Sequence, residues 1–358
     1  MILAFVLIGV PVLAAAMMAL PLPGRTRLWI DRGASGLVFV LACASPWQGG
    51  EAGAFLSQAP LSALVAILVA LASGAARIGA TRARAADQAL LGAMLVAALS
   101  DQGLVSIGAL GCVVICLVAR DIPRGWARLP LAGVGLGMVL FGAAILPSLT
   151  GASCILLGLA ALAAAMPEAL VVILPAAAGP AGPLLIAIGL AALLTCAGLL
   201  LTRPRRRDFW GLVTLAQGGV VAAAFGLQTP AGAFAGLVLL VLLVLSQTAQ
   251  RLARPEGPDA LAAAAGLAGL PPFGVFPGLV LVLAAVAGHA PWLLVPLAGG
   301  LIALGWAVIL RLPAPRGSGF GGLRRAPAWL PITAAIVIGY CLPAQAVAWL
   351  QAAAEAIR

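Results

Sequence analysis

Charge is scarce in this sequence: lysine is absent, histidine occurs once, and charged residues make up only 8% of the 358 positions. A soluble domain normally has about 25% charged and about 45–50% apolar residues, whereas 63% of this chain is hydrophobic. This composition excludes a water-soluble fold. Phosphate-binding loops and nucleophile motifs are also missing, and a single histidine leaves a zinc site short of ligands. We therefore predict no catalytic residue, no cofactor and no metal site.

The chain consists instead of long apolar segments separated by short joints. Many segments approach the ~20 residues that a helix needs to cross about 30 Å of hydrocarbon. They do not show the alternation that is typical of transmembrane barrel strands. The segments predict an all-α, polytopic transmembrane helix bundle of about 12–14 helices. They span residues 2–22, 34–48, 59–76, 88–100, 103–119, 130–149, 153–178, 181–202, 210–228, 230–250, 259–288, 291–311 and 327–350.

The basic residues follow a regular pattern along the chain. Nineteen of the 20 arginines lie in six joints, and the joints between them contain none. The six basic joints are residues 25–32, 77–84, 120–128, 203–207, 251–254 and 311–325. Alternation of this kind is the positive-inside pattern, whereas a nucleic-acid surface would concentrate the arginines. We predict a multi-pass protein of a bacterial cytoplasmic membrane, with arginine-rich joints in the cytoplasm, an external N-terminus and no nucleic-acid partner.

Two apolar segments contain residues that interrupt helices. The crossings between the third and fourth basic joints are odd in number, so we expect residues 153–178 to form a hairpin on the outer side, broken by Pro167 and Pro175. The second interruption lies in residues 259–288. It contains Gly266, Gly269, Pro271, Pro272, Gly274, Pro277 and Gly278. Irregular backbone at membrane depth is stable only where protein or a cavity satisfies it, so the break indicates either an ion site or a packing kink.

Glu168 is the acid that falls within an apolar segment. It follows Pro167, where it can begin a half-helix whose exposed N–H groups and dipole stabilise a carboxylate. The alternative is a role in binding protons or a partner subunit. Both interpretations stay open from the sequence.

Two stretches in the second half resemble a known family. The run AAAAGLAGLPPFGVFPGLVLVLAAV at 262–286 resembles the broken twelfth helix of the antiporter-like subunits of complex I, of hydrogenase-4 and formate hydrogenlyase, and of Mrp cation/proton antiporters. The stretch RDFWGLVTLAQGG at 207–219 is similar to the family's KRLLAYSTISQLG. The matched positions are Arg207, in the place of the family's lysine, and Thr214, Gln217 and Gly219.

Two further stretches agree in the same order. APLSALVAILVAL at 59–71 resembles the family's third helix, and LAGVGLGMVLFGAAILPSLTG at 131–151 resembles its sixth. The resemblance implies two antiporter-like repeats within a single integral membrane domain, residues 1–358. Within it we expect N-terminal helices over 1–149, a degenerate broken segment over 150–180 and C-terminal helices over 181–358.

The departures from the family concern its charged residues. The acids and bases that members carry in their fifth, seventh and eleventh helices are replaced here by apolar residues. The corresponding positions are Gly111 or Cys112, then Leu162, and then Gly236, Leu240 and Val244. The family's eighth helix is largely missing between Pro175 and Pro180. The chain therefore looks like a shortened member that has lost the charges on which proton movement depends.

The resemblance implies a membrane subunit of a larger ion-coupled redox or antiporter complex, with other membrane subunits as its partners. We expect a structural or degenerate proton-translocation subunit that is not an enzyme by itself. Two alternatives stay open. The chain could still conduct protons through Glu168 and partner residues, or it could be an independent secondary transporter of a small solute.

Overall fold

The computed structural model describes most of both ends of the chain and little of its middle. The described residues are 2–48, 59–78, 83–100, 182–202, 206–253, 258–311 and 326–355, with isolated positions at 109, 112, 113 and 116. Within these ranges the chain forms twelve α-helices and no β-strand. This confirms the predicted all-α class. The hairpin predicted over 153–178 lies outside the described residues.

The twelve described helices are given in chain order. They are α1 (Ile2–Ala19), α2 (Gly24–Ala44), α3 (Pro60–Ile78), α4 (Ala85–Leu99), α5 (Gly182–Leu201), α6 (Arg206–Gly226), α7 (Pro230–Leu252), α8 (Pro258–Ala268), α9 (Phe276–His289), α10 (Leu294–Ile309), α11 (Ala326–Tyr340) and α12 (Ala344–Glu355). They belong to two compact units, Met1–Ile173 and Leu174–Arg358. The expectation of a single membrane domain stays a prediction.

In the first unit, α1 packs against α2 and α4, and α3 packs between α2 and α4. Helix α2 begins at Gly24, so the basic joint that we predicted before residue 34 is itself helical. That boundary was wrong because polar residues in the first turns of a helix resemble a loop when they are judged by hydropathy alone. The buried stripe of α2 has helical spacing, and its members are Asp31, Ser35, Val38 and Ala42.

In the second unit, α7 is the central helix. It contacts α6, α8, α9, α11 and α12, and Leu237, Leu239 and Leu240 on it are fully buried. Helices α5 and α6 pack closely because glycines face each other, with Gly189 against Gly219. Small residues at helix contacts let backbones approach, which is a common packing device in membranes.

Replacing Gly219 by leucine is expected to lower the free energy of unfolding by about 1–3 kcal/mol or more, because overpacking a close contact forces the helices apart. A Cβ atom at Gly219 would lie 2.5 Å from the Gly189 carbonyl oxygen. Gly198 on α5 is the matched control, since a Cβ atom there meets nothing within 4 Å. Thermal unfolding in detergent should show a lower midpoint for Gly219→Leu than for Gly198→Leu. Equal midpoints would contradict the close helix contact.

Three of the described helical stretches are long and apolar enough to cross a membrane: Phe209–Gly226, Pro230–Leu252 and Pro291–Ile309. Helices α11 and α12 together make a fourth candidate, bent by 83°. The sequence predicted one uninterrupted helix over 327–350, and that was wrong. The chain leaves the helix at residues 341–343, where Pro343 has no N–H to continue the hydrogen-bond ladder.

Candidate functional site

The predicted interruption in residues 259–288 is present in the structure. Helix α8 ends at Ala268 and α9 begins at Phe276. Gly269 has φ of +78°, and the N–H groups of Gly269 and Leu270 donate to the carbonyls of Gly266 (3.3 Å) and Ala265 (2.9 Å). This is the Schellman arrangement, in which a glycine in the left-handed region ends a helix and satisfies its last carbonyls.

The remainder of the break folds back onto the end of α8. Gly274 has φ of +54°, and the Val275 N–H donates to the Gly266 carbonyl at 3.1 Å. The Pro271–Pro272 peptide bond is cis. Pro277 occupies the first turn of α9, where a missing N–H is not needed by the helix. The break therefore satisfies its own backbone groups to a large extent, as irregular backbone at membrane depth requires.

Gln217 of α6 contacts the end of α8 at this break. It is fully buried, and its Nε2 donates to the Leu267 carbonyl of α8 at 3.3 Å. A Cβ atom at Gly269 would lie 3.8 Å from the same Nε2 atom. The Gln217 Oε1 atom accepts no hydrogen bond within the described part of the chain. Gln217 thus holds the last turn of α8, whose carbonyls lack helical partners, and brings one uncharged acceptor to the break.

The other family-matched positions have different surroundings. Thr214 is buried one turn before Gln217 on α6, whereas Gly219 contacts α5. Arg207 lies in the first turn of α6, and its side chain is outside the described residues. Of these positions, Gln217 contacts the break, whereas Gly219 lies at the contact between α5 and α6.

Alanine at Gly269 is expected to cost about 1–2 kcal/mol, because an L-residue in the left-handed region is strained. Its Cβ atom would also lie 2.5 Å from Leu279 Cδ1. Gly299 of α10 is the matched control, since a Cβ atom there meets nothing within 4 Å, and alanine usually stabilises a helix interior by roughly 0.5–1 kcal/mol over glycine. Thermal unfolding should therefore shift in opposite directions for the two variants. A shift in the same direction would contradict the assigned geometry.

The places at which the family carries charges in its eleventh helix are packed with apolar groups. Leu240 and Val244 of α7 are fully buried or nearly so. Gly236 lies against the Phe225 ring, since a Cβ atom there would come within 2.7 Å of Phe225 Cε1. The space around these three positions of α7 is therefore filled by apolar side chains.

A buried polar cluster, which was not predicted from the sequence, lies in the first unit. Its members are Asp31 and Ser35 of α2, Arg77 of α3 and Gln88 of α4, all with relative exposure of 6% or less. The Arg77 guanidinium pairs with Asp31 Oδ1 and donates to the Asp87 carbonyl at 2.7 Å. A charge-assisted pair of this kind compensates the desolvation of both groups only when it keeps good geometry and further hydrogen bonds.

Gln88 supplies those further hydrogen bonds. Its Nε2 lies 2.8 Å from Asp31 Oδ1, 2.9 Å from the Asp31 carbonyl and 2.9 Å from Ser35 Oγ. Asp31 lies within the first basic joint, residues 25–32, yet its side chain is fully buried. A usable signal existed in the sequence, because Asp31 and Ser35 are one turn apart on the face that Val38 and Ala42 continue.

The cluster also shows at which end of the helices the first two basic joints lie. Asp31 lies near the start of α2, Arg77 near the end of α3 and Gln88 near the start of α4. Their contacts bring the first two basic joints to the same end of the first unit. The alternation of basic and arginine-free joints predicts this arrangement.

Glu168, Pro167, Pro175 and Pro180 lie outside the described residues. His289 is the last residue of α9, where its Nδ1 donates to the Ala285 carbonyl at 3.1 Å. No group of three or more potential metal ligands occurs in the part of the chain that the structure describes.

Comparison with known proteins gives a consistent result for the fold. No protein-family profile and no curated protein matches the sequence. Among solved structures, a chain of respiratory complex I from Thermus thermophilus matches with a TM-score of 0.78 and 19% identity, covering 99% of this chain and 98% of that one. A chain of the Mrp complex from Dietzia sp. DQ12-45-1b matches with a TM-score of 0.83 and 13% identity, covering 99% and 97%.

A chain of the membrane-bound sulfane sulfur reductase, an archaeal respiratory membrane complex, matches with a TM-score of 0.75 and 15% identity, covering 99% and 97%. At identities below 20%, these TM-scores and coverages show the fold alone. The fold implied by the four resembling stretches is confirmed: this is an integral membrane protein with the fold of chains from complex I, the Mrp complex and the sulfane sulfur reductase.

Proposed function

We propose that this chain is a membrane subunit of a multi-subunit, ion-coupled redox or antiporter complex, with an antiporter-like scaffold and without its own proton path. Two findings support the proposal. The fold is that of chains from three membrane complexes, matched over 97% or more of their length. The resemblance of the four stretches to the antiporter-like family supports the proposal independently of the structure comparisons.

The packing of α7 supports the proposed absence of a proton path. Proton transfer through a bilayer needs titratable groups with water between them, and an intramembrane charge costs at least about 2.5–3.5 kcal/mol. Buried residues of α7 at the family's charged positions are Gly236, Leu240 and Val244. Hydrocarbon at these positions offers no group that can hold a proton.

The surface of the second unit is suited to neighbours in the membrane. The exposed side of α10 carries large apolar residues with helical spacing: Val295, Ile302, Trp306 and Ile309. Lipid or other membrane subunits cover such a face in a bilayer. By the arginine pattern, we place the protein in a bacterial cytoplasmic membrane with its basic joints inside.

Purification in a mild detergent tests the proposal. An affinity tag on the full chain should co-isolate subunits of a redox or antiporter complex. The solute-transporter alternative draws support from the uncharged Gln217 acceptor at the α8–α9 break. It predicts instead that the purified chain alone takes up a solute into liposomes, and that Gln217→Leu removes this uptake.

Replacing Glu168 by glutamine is expected to leave proton translocation by the assembled complex unchanged. The reason is that a single acid cannot form a relay when the other charges of the family are missing. The measurement is proton pumping by the isolated complex in vesicles, with the amount of incorporated subunit checked for each variant. Loss of pumping with normal assembly would favour the conducting alternative.

A further inference from the structure

The buried polar cluster of Asp31, Ser35, Arg77 and Gln88 contains two oxygen atoms that accept no hydrogen bond within the described residues, Asp31 Oδ2 and Gln88 Oε1. Both residues are fully buried, at 0% exposure. Buried acceptors are normally satisfied, because they lose their hydrogen bonds to solvent on folding. Two such atoms in one hydrogen-bonded cluster indicate a donor that belongs to neither side chain.

No described donor makes a hydrogen bond to either oxygen. Gln88 Nε2 is engaged by Asp31 and Ser35, and Arg77 donates to Asp31 Oδ1 and the Asp87 carbonyl. The two oxygens cannot satisfy each other, since an ionised carboxylate and an amide oxygen only accept. Turning the Gln88 amide over would place its oxygen against the carboxylate and the carbonyl of Asp31, which only accept, and would lose both contacts.

We propose that a buried water molecule occupies this position and donates one hydrogen bond to Asp31 Oδ2 and one to Gln88 Oε1. Water matches the site because it has two donors and no net charge, and buried waters typically bridge polar groups that would otherwise be unsatisfied. A metal cation does not match it. Arg77 already neutralises Asp31, so a cation would leave one positive charge buried without compensation.

The bound water completes a network that connects α2, α3 and α4. With it, the remaining acceptor of each side chain is satisfied, and the network behaves as one unit. The water site is structural and does not depend on the proposed function of the chain. It would exist equally in a scaffold subunit, a conducting subunit or a solute transporter.

A high-resolution map of the full chain in a lipid nanodisc is the direct test. We expect one isolated peak at hydrogen-bonding distance, about 2.5–3.0 Å for O–H···O contacts, from both Asp31 Oδ2 and Gln88 Oε1. An empty position, a protein side chain filling it, or a peak with the several close oxygen ligands of a cation would each overturn the proposal.

Hydroxyl-radical labelling by X-ray pulses gives a second test. Radiolysis of a bound water forms radicals in place, so a buried side chain beside it becomes hydroxylated. Leu91 lies one turn from Gln88 on α4, and Leu240 lies in the apolar core of α7; both are fully buried. We expect several-fold faster labelling of Leu91 than of Leu240 in the wild-type chain. Equal rates would contradict the water site.

Discussion

Methionine in place of Arg77 is expected to lower the free energy of unfolding by about 3–5 kcal/mol, the usual cost of leaving one member of a buried ion pair without its partner. The Arg77 guanidinium contacts Asp31 Oδ1 and the Asp87 carbonyl. Its removal leaves the Asp31 carboxylate fully buried with only the amide of Gln88 as a described donor. Chemical or thermal unfolding in detergent measures the loss.

Two further variants make this test specific. Arg25 lies in the first basic joint, as Asp31 does, and is exposed, so Arg25→Met should change stability little. The double variant Asp31→Leu with Arg77→Met removes both charges and should be more stable than Arg77→Met alone, because no isolated charge stays buried. If Arg77→Met were as stable as Arg25→Met, the buried pair would be disproved.

Lysine in place of Leu240 is expected to destabilise the chain by at least about 2.5–3.5 kcal/mol, the cost of a lysine at the centre of a membrane helix. Leu240 is fully buried on α7, between other buried leucines. The substitution restores a base near the place where the family carries one, but the surroundings are packed hydrocarbon. We therefore expect loss of stability without any gain of proton conduction.

Leu240→Met is the matched control for size. A volume-conserving apolar exchange usually costs less than about 1.5 kcal/mol, so this variant should unfold close to the wild type. Stability is measured by thermal unfolding and conduction by proton flux in vesicles. A stable Leu240→Lys variant that conducts protons would mean that α7 lines a hydrated cavity, against the packing described for it.

The helices and the α8–α9 break could be predicted from local patterns. Apolar length fixes a membrane helix, and Gly269 with the prolines after it indicates where the helix stops. Prolines alone were ambiguous, however. Pro11 and Pro331 lie inside α1 and α11, whereas Pro343 lies in the break between α11 and α12, which are bent by 83°. Whether a proline ends a helix depends on the neighbours that satisfy the freed carbonyl, and these neighbours are distant in sequence.

The pairing within the polar cluster could not be predicted for a similar reason. Asp31 pairs with Arg77, 46 residues away, and with Gln88, 57 residues away. Hydropathy assigns an acid between arginines to a solvated joint, and only the tertiary contact between α2, α3 and α4 makes it a buried group. The charge pattern did indicate that the first two basic joints, residues 25–32 and 77–84, lie at the same end of the helices.

Proton flux through the full chain alone, reconstituted in liposomes under an imposed membrane potential, tests the proposed absence of a proton path most directly. The internal pH of vesicles that contain the chain should change at the rate of protein-free vesicles. A rate that rises in proportion to the amount of incorporated protein would contradict the account.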